Sequence, residues 1–192
     1  MPYPAQTDRT TIVHTARTLI EQDGVDQLSL ARLAAVLGIK APSLYRHVPS
    51  KTALLQAVVT LTFQQLFEAY TMALDAGGDT PEEQLLAILR AHRAFAHANP
   101  QTYVLAFTTT VPEQRADEAM LARIALPIQQ LMAALSGPAQ SLAALRGALA
   151  LVHGFVMLEL NQQLRRGGDL DAAFNAAITA YIVGWQQVSA AG

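Results

Sequence analysis

Between Ser29 and Lys51 the sequence reads SLARLAAVLGIKAPSLYRHVPSK, and no other stretch limits the fold as tightly. Leu30, Leu33, Ala34 and Leu37 recur at helical spacing, so Ser29 to Leu37 can lay one apolar stripe on a core. Ser29 is a good N-cap for that helix, and Gly38 supplies the positive φ that ends it. Ile39 pins the turn inward. Lys40, Ala41, Pro42 and Ser43 open a second helix, in which Pro42 is tolerated because it falls in the first turn. Pro49 closes it. A helix, a glycine turn and a second short helix form the unit that can place its second helix in the major groove of DNA.

The outward face of that second helix carries the chemistry. Leu44 and Val48, four apart, can face inward, which leaves Lys40, Ser43, Tyr45, Arg46 and His47 largely outward. No acid occurs between Asp26 and Glu68, whereas a merely solvated face mixes both signs. Lys40 and Lys51 are the only lysines, and both sit near helix N-termini. A cation there opposes the macrodipole at a cost of roughly 0.3 to 1 kcal/mol. The same termini point free backbone N–H groups outward, which suits phosphate. Lysines that are locally unfavourable yet well placed for phosphate point to a nucleic-acid backbone. Ser29, Lys40, Ala41, Pro42, Ser43, Tyr45, Arg46, His47 and Lys51 are therefore the candidate DNA-contacting residues, with Lys40, Ala41 and Ser43 nearest the base edges.

The same residues resemble the DNA-binding domain of the TetR family of transcriptional repressors. The resemblance rests on Ser29-Leu30 opening the helix, on LAAVLGI over Leu33 to Ile39, and on SLYRHVPSKTALL over Ser43 to Leu55. Pro42 departs from the pattern and changes the first turn of the recognition helix. The resemblance implies a one-component regulator, most often a repressor. Such a protein binds a near-palindromic operator as a homodimer and is released by a small effector.

Composition agrees with a local DNA contact. The chain has 192 residues and a formal charge of −2. Residues 1–51 hold six Lys and Arg against four Asp and Glu, whereas the remainder holds seven against eleven. A mildly basic head on an acidic body argues against wrapping nucleic acid. Cysteine is absent, which excludes disulfides and thiolate chemistry. No apolar run reads as long enough to span a bilayer, and MPYPAQTDR lacks a signal-peptide pattern; a cytoplasmic protein is expected. The arginine and alanine bias suggests a GC-rich bacterial genome.

The remaining chain reads as helices throughout, so the expected fold is all-α with about nine helices. Met1 to Thr7 is expected to be a mobile arm. Helix 1 is predicted over Asp8 to Gln22, with Ile12, Ala16, Leu19 and Ile20 inward. A long helix 4, about 51–75, should connect an N-terminal three-helix DNA-binding domain (1–51) to a larger C-terminal ligand-binding and dimerisation domain (52–192). Thr80-Pro81-Glu82-Glu83 starts a helix that ends at Asn99-Pro100. Further helices are predicted over Gln101 to Phe107, Glu113 to Leu135 through Pro127, Ala139 to Arg166, and Asp169 to Ser189. The last two have apolar faces too broad for one small domain to cover. A partner's identical hairpin would cover Leu149, Val156, Leu160, Ile178, Tyr181, Ile182 and Trp185 across a two-fold axis.

Leu149 to Glu159, LALVHGFVMLE, is similar to the C-terminal domain of one TetR subset, marked by a Trp and, a turn later, a His-Gly pair. His153-Gly154 stand here, with Leu149 at the Trp position. Gly154 is expected to admit close approach of another helix. His153 reads either as a core histidine with one hydrogen-bond partner or as a ligand contact. With His92, Phe95, Tyr103, Phe107, Ile124 and Met157 it makes up a candidate effector pocket of large apolar groups and a few polar tips. That lining points to a small, largely apolar effector. The five histidines form no His-x-x-x-His pair, and no Gly-rich phosphate loop or Gly-x-Ser-x-Gly elbow occurs. No metal, no cofactor and no catalytic residue is expected. The alternative is an all-α enzyme or small-molecule carrier with the first helices as scaffold only.

Overall fold

The computed structural model describes residues 8–191, of residue 191 the backbone only, and the expected arm Met1 to Thr7 lies outside them. The described residues form nine α-helices and three one-turn 3-10 helices, with no strand. In order these are α1 (Arg9–Asp23), α2 (Leu30–Val36), α3 (Ala41–Tyr45), α4 (Lys51–Ala76), α5 (Pro81–Ala98), α6 (Pro100–Thr108), α7 (Glu118–Ser136), α8 (Ser141–Leu160) and α9 (Leu170–Ala191).

The chain packs as two compact units, and they do not follow a cut at residue 51. One holds the described residues up to Gln65 together with Asn99–Glu118; the other holds Leu66–Ala98 and the chain from Ala119 onward. In the first unit α1 starts on Asp8, whose Oδ1 accepts the Thr11 amide at 2.7 Å. It buries Ile12, Val13, Ala16, Leu19 and Ile20. Gly24, at φ 84°, ends it. Next comes a 3-10 turn, Val25–Gln27. Leu33, Leu44 and Leu54 are fully buried in the same unit. Tyr103 of α6 is buried there too, so α6 is part of this core.

In the second unit α5 packs on α8 and α9, and α8 on α9. A capping box opens α5, as its sequence predicts: the Glu83 amide donates to Thr80 Oγ1 at 3.2 Å, and the Thr80 amide to Glu83 Oε2 at 3.2 Å. These bonds hold the Glu83 carboxyl below its ordinary range. Gly147, not Gly154, is the close-approach glycine of α8. A Cβ at Gly147 would lie 2.6 Å from the Tyr181 hydroxyl of α9, whereas one at Gly154 would meet nothing within 4 Å. The Tyr181 hydroxyl donates to the Ala144 carbonyl across that contact.

Three expectations need correction. The helix predicted from Glu113 starts five residues later: Pro112–Gln114 make one 3-10 turn, Arg115 is extended, and α7 begins at Glu118. The helix predicted to Arg166 stops at Leu160, because Gln162 takes a left-handed φ of 53°. Its amide donates to the Glu159 carbonyl and that of Gln163 to the Leu158 carbonyl, both at 2.8 Å. This is a Schellman end with glutamine where glycine is usual. Last, Glu118–Ser136 and Pro138–Leu160 are long and apolar enough to cross a membrane by length and composition, contrary to the reading of their sequence. Both are interrupted by charge, Arg123 in α7 and Arg146 and Glu159 in α8.

Candidate nucleic-acid interface and effector residues

The helix-turn-helix is built as its residues dictate. Ser29 Oγ accepts the Arg32 amide at 3.1 Å and so starts α2. Gly38, at φ 65°, ends it: its amide donates to the Ala35 carbonyl and the Ile39 amide to that of Ala34. The turn delivers Lys40 to the N-cap of α3, with Pro42 in the first turn. Leu44 and Val48 are buried and fix the rotation of α3. Lys40, Ala41, Pro42, Tyr45, Arg46 and His47 are thereby exposed, as are Ser29 and Lys51. Ser43 is half-buried, and its hydroxyl accepts from Arg46 Nη2 at 3.3 Å. All nine candidate DNA-contacting residues thus lie in the first unit, eight of them exposed.

Acids near this face come from other helices. Asp23 is paired with Arg32. Asp8, exposed at the start of α1, is close enough to His47 to feel its charge. The Thr11 amide and hydroxyl, with a smaller contribution from His47, hold the Asp8 carboxyl below its ordinary range. An acid-free run in sequence is therefore not acid-free in space. Lys51 does not extend freely: Nζ donates to the Val25 carbonyl at 3.4 Å. That bond poises the ammonium at the first turn of α4, beside the Ser50 cap that accepts the Ala53 amide at 3.0 Å.

The seven candidate effector residues are shared between the units. In the first, Tyr103 and Phe107 of α6 lie with ring centroids 4.5 Å apart, and Phe107 meets Phe63 of α4 at 5.1 Å. Burial pushes the Tyr103 phenol well above its ordinary range. In the second, His92 is buried, stacks on Tyr70 at 5.9 Å and shares a short hydrogen bond through Nδ1 with the Tyr70 hydroxyl. Burial, aided by nearby His153, pushes the His92 imidazole down to about 3. His153 is lowered by its own burial. Phe95, Ile124 and Met157 are half-buried in the same unit. Phe63 and Tyr70 were not singled out from the sequence, although their spacing of seven on α4 signals one helical face.

A second cluster also escaped sequence reading. Arg93 grips Glu159 with two parallel bonds, Nε to Oε2 at 2.8 Å and Nη2 to Oε1 at 2.6 Å, and reaches Asp171 Oδ1 at 2.6 Å. Its guanidinium lies 4.9 Å from the Phe174 ring centroid. His97 Nε2 adds a bond to Glu159 Oε2 at 2.9 Å. Burial raises the Glu159 carboxyl, but the bonds from Arg93 and His97 outweigh it and leave the group below its ordinary range. The cluster borders an open cleft of about 480 Å³. With both carboxylates already paired to Arg93, it reads as a tie between α5, α8 and the start of α9.

The candidate dimer residues divide by burial. Val156, Ile178 and Ile182 are already buried within one chain and offer little surface to a partner. Val156 lies one helical turn from buried Val152, and Ile178 and Ile182 one and two turns from buried Phe174. Leu149 is 45% exposed, and Leu160, Tyr181 and Trp185 are half-buried. Leu142, Leu158, Val183 and Val188 are exposed as well.

Comparison with known proteins bears on this architecture. Residues 12–58 match the bacterial regulatory proteins of the tetR family, and residues 85–181 match the tetracyclin repressor-like C-terminal domain. An HTH-type transcriptional regulator of Mycobacterium tuberculosis, Rv0681, is 33% identical over 190 residues, covering 96% of this chain and 84% of that one. The class D tetracycline repressor of Escherichia coli is 36% identical over 76 residues, 40% of this chain and 34% of its own. A solved structure from Rhodococcus sp. RHA1, of unknown function, superposes with a TM-score of 0.81 at 22% identity, over 97% of this chain and 99% of that one. The Mycobacterium tuberculosis and Escherichia coli relatives are a transcriptional regulator and a repressor rather than enzymes, which speaks against the scaffold-only alternative. Two matched domains, and one relative aligned over nearly the whole chain, establish that the protein belongs to the TetR family of transcriptional regulators.

Proposed function

We propose that the protein is a ligand-responsive repressor that binds a near-palindromic operator as a homodimer and is released by a small, largely apolar effector. The observation that carries this reading is the outward row of α3. Lys40, Ala41, Pro42, Tyr45, Arg46 and His47 stand exposed on a helix anchored by buried Leu44 and Val48. Donors from Lys40, Tyr45, Arg46 and His47, with the small apolar Ala41 and Pro42 at the first turn, held at fixed rotation are what a major groove requires. Exposed Leu149, Leu142 and Val183 on α8 and α9 support a partner chain. Aromatic groups in both units, and the buried imidazoles of His92 and His153 in the second, support an effector without a strong charge. His153-Gly154 keeps the Trp/His-Gly subset as our reading of the C-terminal domain. DNA binding places the working protein in the bacterial cytoplasm.

The test is a DNA shift assay on fragments from around the gene, run as a salt series. Lys51→Ala should weaken operator and random DNA about equally and lower the salt slope by about one phosphate, near 0.9 in log–log units. An unchanged slope removes Lys51 from the backbone contacts. Ala41 and Ser43 should behave differently. Substituting either should re-rank operators, each lost base contact costing about 1 to 3 kcal/mol. Uniform loss across all sequences would mean that they touch only phosphate.

A further inference from the structure

Helix α6 is capped from far away in sequence. Its first N–H groups have no intrahelical acceptor, and Pro100 contributes none. Asn99 occupies the N-cap but makes no side-chain cap bond. Instead its Oδ1 accepts from Arg17 Nη2. Glu21 of α1 takes over the capping role: Oε2 accepts the Gln101 amide at 3.1 Å and Oε1 the Thr102 amide at 2.9 Å. The buried Thr102 hydroxyl donates to the same oxygen. Arg17 and Glu21 are four apart, so two successive turns of α1 grip residues 99, 101 and 102. A carboxylate at a helix N-terminus also meets the positive end of the macrodipole.

The grip continues toward the DNA-facing residues. Three residues after Glu21, Gly24 turns the chain at φ 84° into the 3-10 turn Val25–Gln27, which packs on α6. The Val25 carbonyl accepts both the Leu28 amide, at 3.2 Å, and Lys51 Nζ, at 3.4 Å. The first turn of α6 is thus joined to Lys51 through the last turn of α1 and one carbonyl, all within one compact unit.

We propose that Glu21 is a clamp that makes α6 a working part of the DNA-binding head, so that the seating of the first turn of α6 sets the position of Lys51. The inference rests on the ligand-responsive reading above and names a route for it: displacement of α6 reaches the DNA backbone through α1, Val25 and Lys51, meeting α4 only at its first residue. Glu21 touches no DNA in this scheme; it is a positioning residue.

Amide hydrogen exchange on the full-length protein, without DNA, tests the clamp. Glu21→Ala should speed exchange at Gln101 and Thr102 about tenfold or more, since bonds to an ionised acceptor are the stronger kind. It should also speed Leu28, whose amide shares the Val25 carbonyl with Lys51. Glu21→Gln, which keeps the shape and one acceptor oxygen, should give a smaller change. Acceleration confined to Gln101 and Thr102, with Leu28 unmoved, reduces Glu21 to a local cap and overturns the proposal; so does no acceleration at all. Binding to a labelled random-sequence duplex supplies the second arm. Thr102→Val should weaken binding severalfold in the wild type and add nothing once Lys51 is alanine. Additive losses overturn the route to Lys51. If Glu21→Ala does not fold, Thr102→Val and Glu21→Gln still decide the matter. A wild type that binds no duplex, yet whose Leu28 responds to Glu21, would instead refute the regulator reading and leave the clamp standing.

Discussion

Leu149→Glu should convert the dimer to folded monomers and lower operator affinity at least about a hundredfold, because two linked heads gain about 10² to 10⁴ over separate ones. The argument starts from burial. Leu149 lies mid-way along an apolar helix yet is 45% exposed in one chain. On α9, Val183 is 43% exposed and Val188 52%. A two-fold axis would bring each substituted position into the interface twice, so two carboxylates would lose water with no partner. Half-sites about one DNA turn apart, roughly 34 to 36 Å, can be read together only by a joined pair of heads. Val156→Glu is the contrast. Val156 is fully buried within its own chain, so its carboxylate should unfold the second unit rather than split a dimer. Sedimentation at micromolar concentration, with circular dichroism beside it, reads both variants. A dimeric Leu149→Glu protein, or a monomeric wild type, would sink the assignment.

That contrast also marks what a sequence can and cannot reveal. Periodicity identified α8 and α9 as helices with broad apolar faces, but a face apolar nearly all round does not say which stripe meets its own chain. Val156 and Leu149 look alike in sequence and differ completely in burial. Where local chemistry decides, reading was direct. Ser29 and Gly38 each act through neighbours within five residues, and each takes the place its type implies, while Leu44 and Val48, four apart, are buried as their spacing implies. The end of α8 is a counterexample. Gly167-Gly168 is the obvious stop signal, yet Gln162 goes left-handed five residues earlier without any residue type announcing it. Long-range contacts were the least legible. Nothing near Pro100 indicates that Glu21, about eighty positions away, caps α6 and binds it to the first unit. Likewise nothing near Asp8 in sequence indicates that it feels the charge of His47, about forty positions on.

The second large effect is acid sensitivity, and it centres on His92. Burial, with His153 nearby, holds this imidazole near 3, against about 6.5 when the chain is unfolded. The sign follows from proton counts. Between those two values the unfolded chain binds a proton that the folded one refuses, so stability is full above about 6.5 and falls as pH drops toward 3. At pH 5 the gap from the unfolded value is about 1.5 units, so this residue alone should cost about 2 kcal/mol relative to pH 7. His153, lowered by its own burial, adds loss of the same sign. Glu159, Glu83 and Asp8 have lowered carboxyls and lose their contributions as pH falls below their unfolded values of 4.5, 4.5 and 3.8, below the interval between pH 7 and pH 5. His92→Gln keeps a polar partner for the Tyr70 hydroxyl and removes the titrating group. Urea unfolding at pH 7 and pH 5 should then show the variant losing about 2 kcal/mol less than the wild type on acidification, whatever its stability at pH 7. Equal losses in both proteins would mean that the fold accepts a proton at His92. The second unit would then hold a charged imidazole between α4, α5 and α8, and an anionic effector would replace the uncharged one as the better fit.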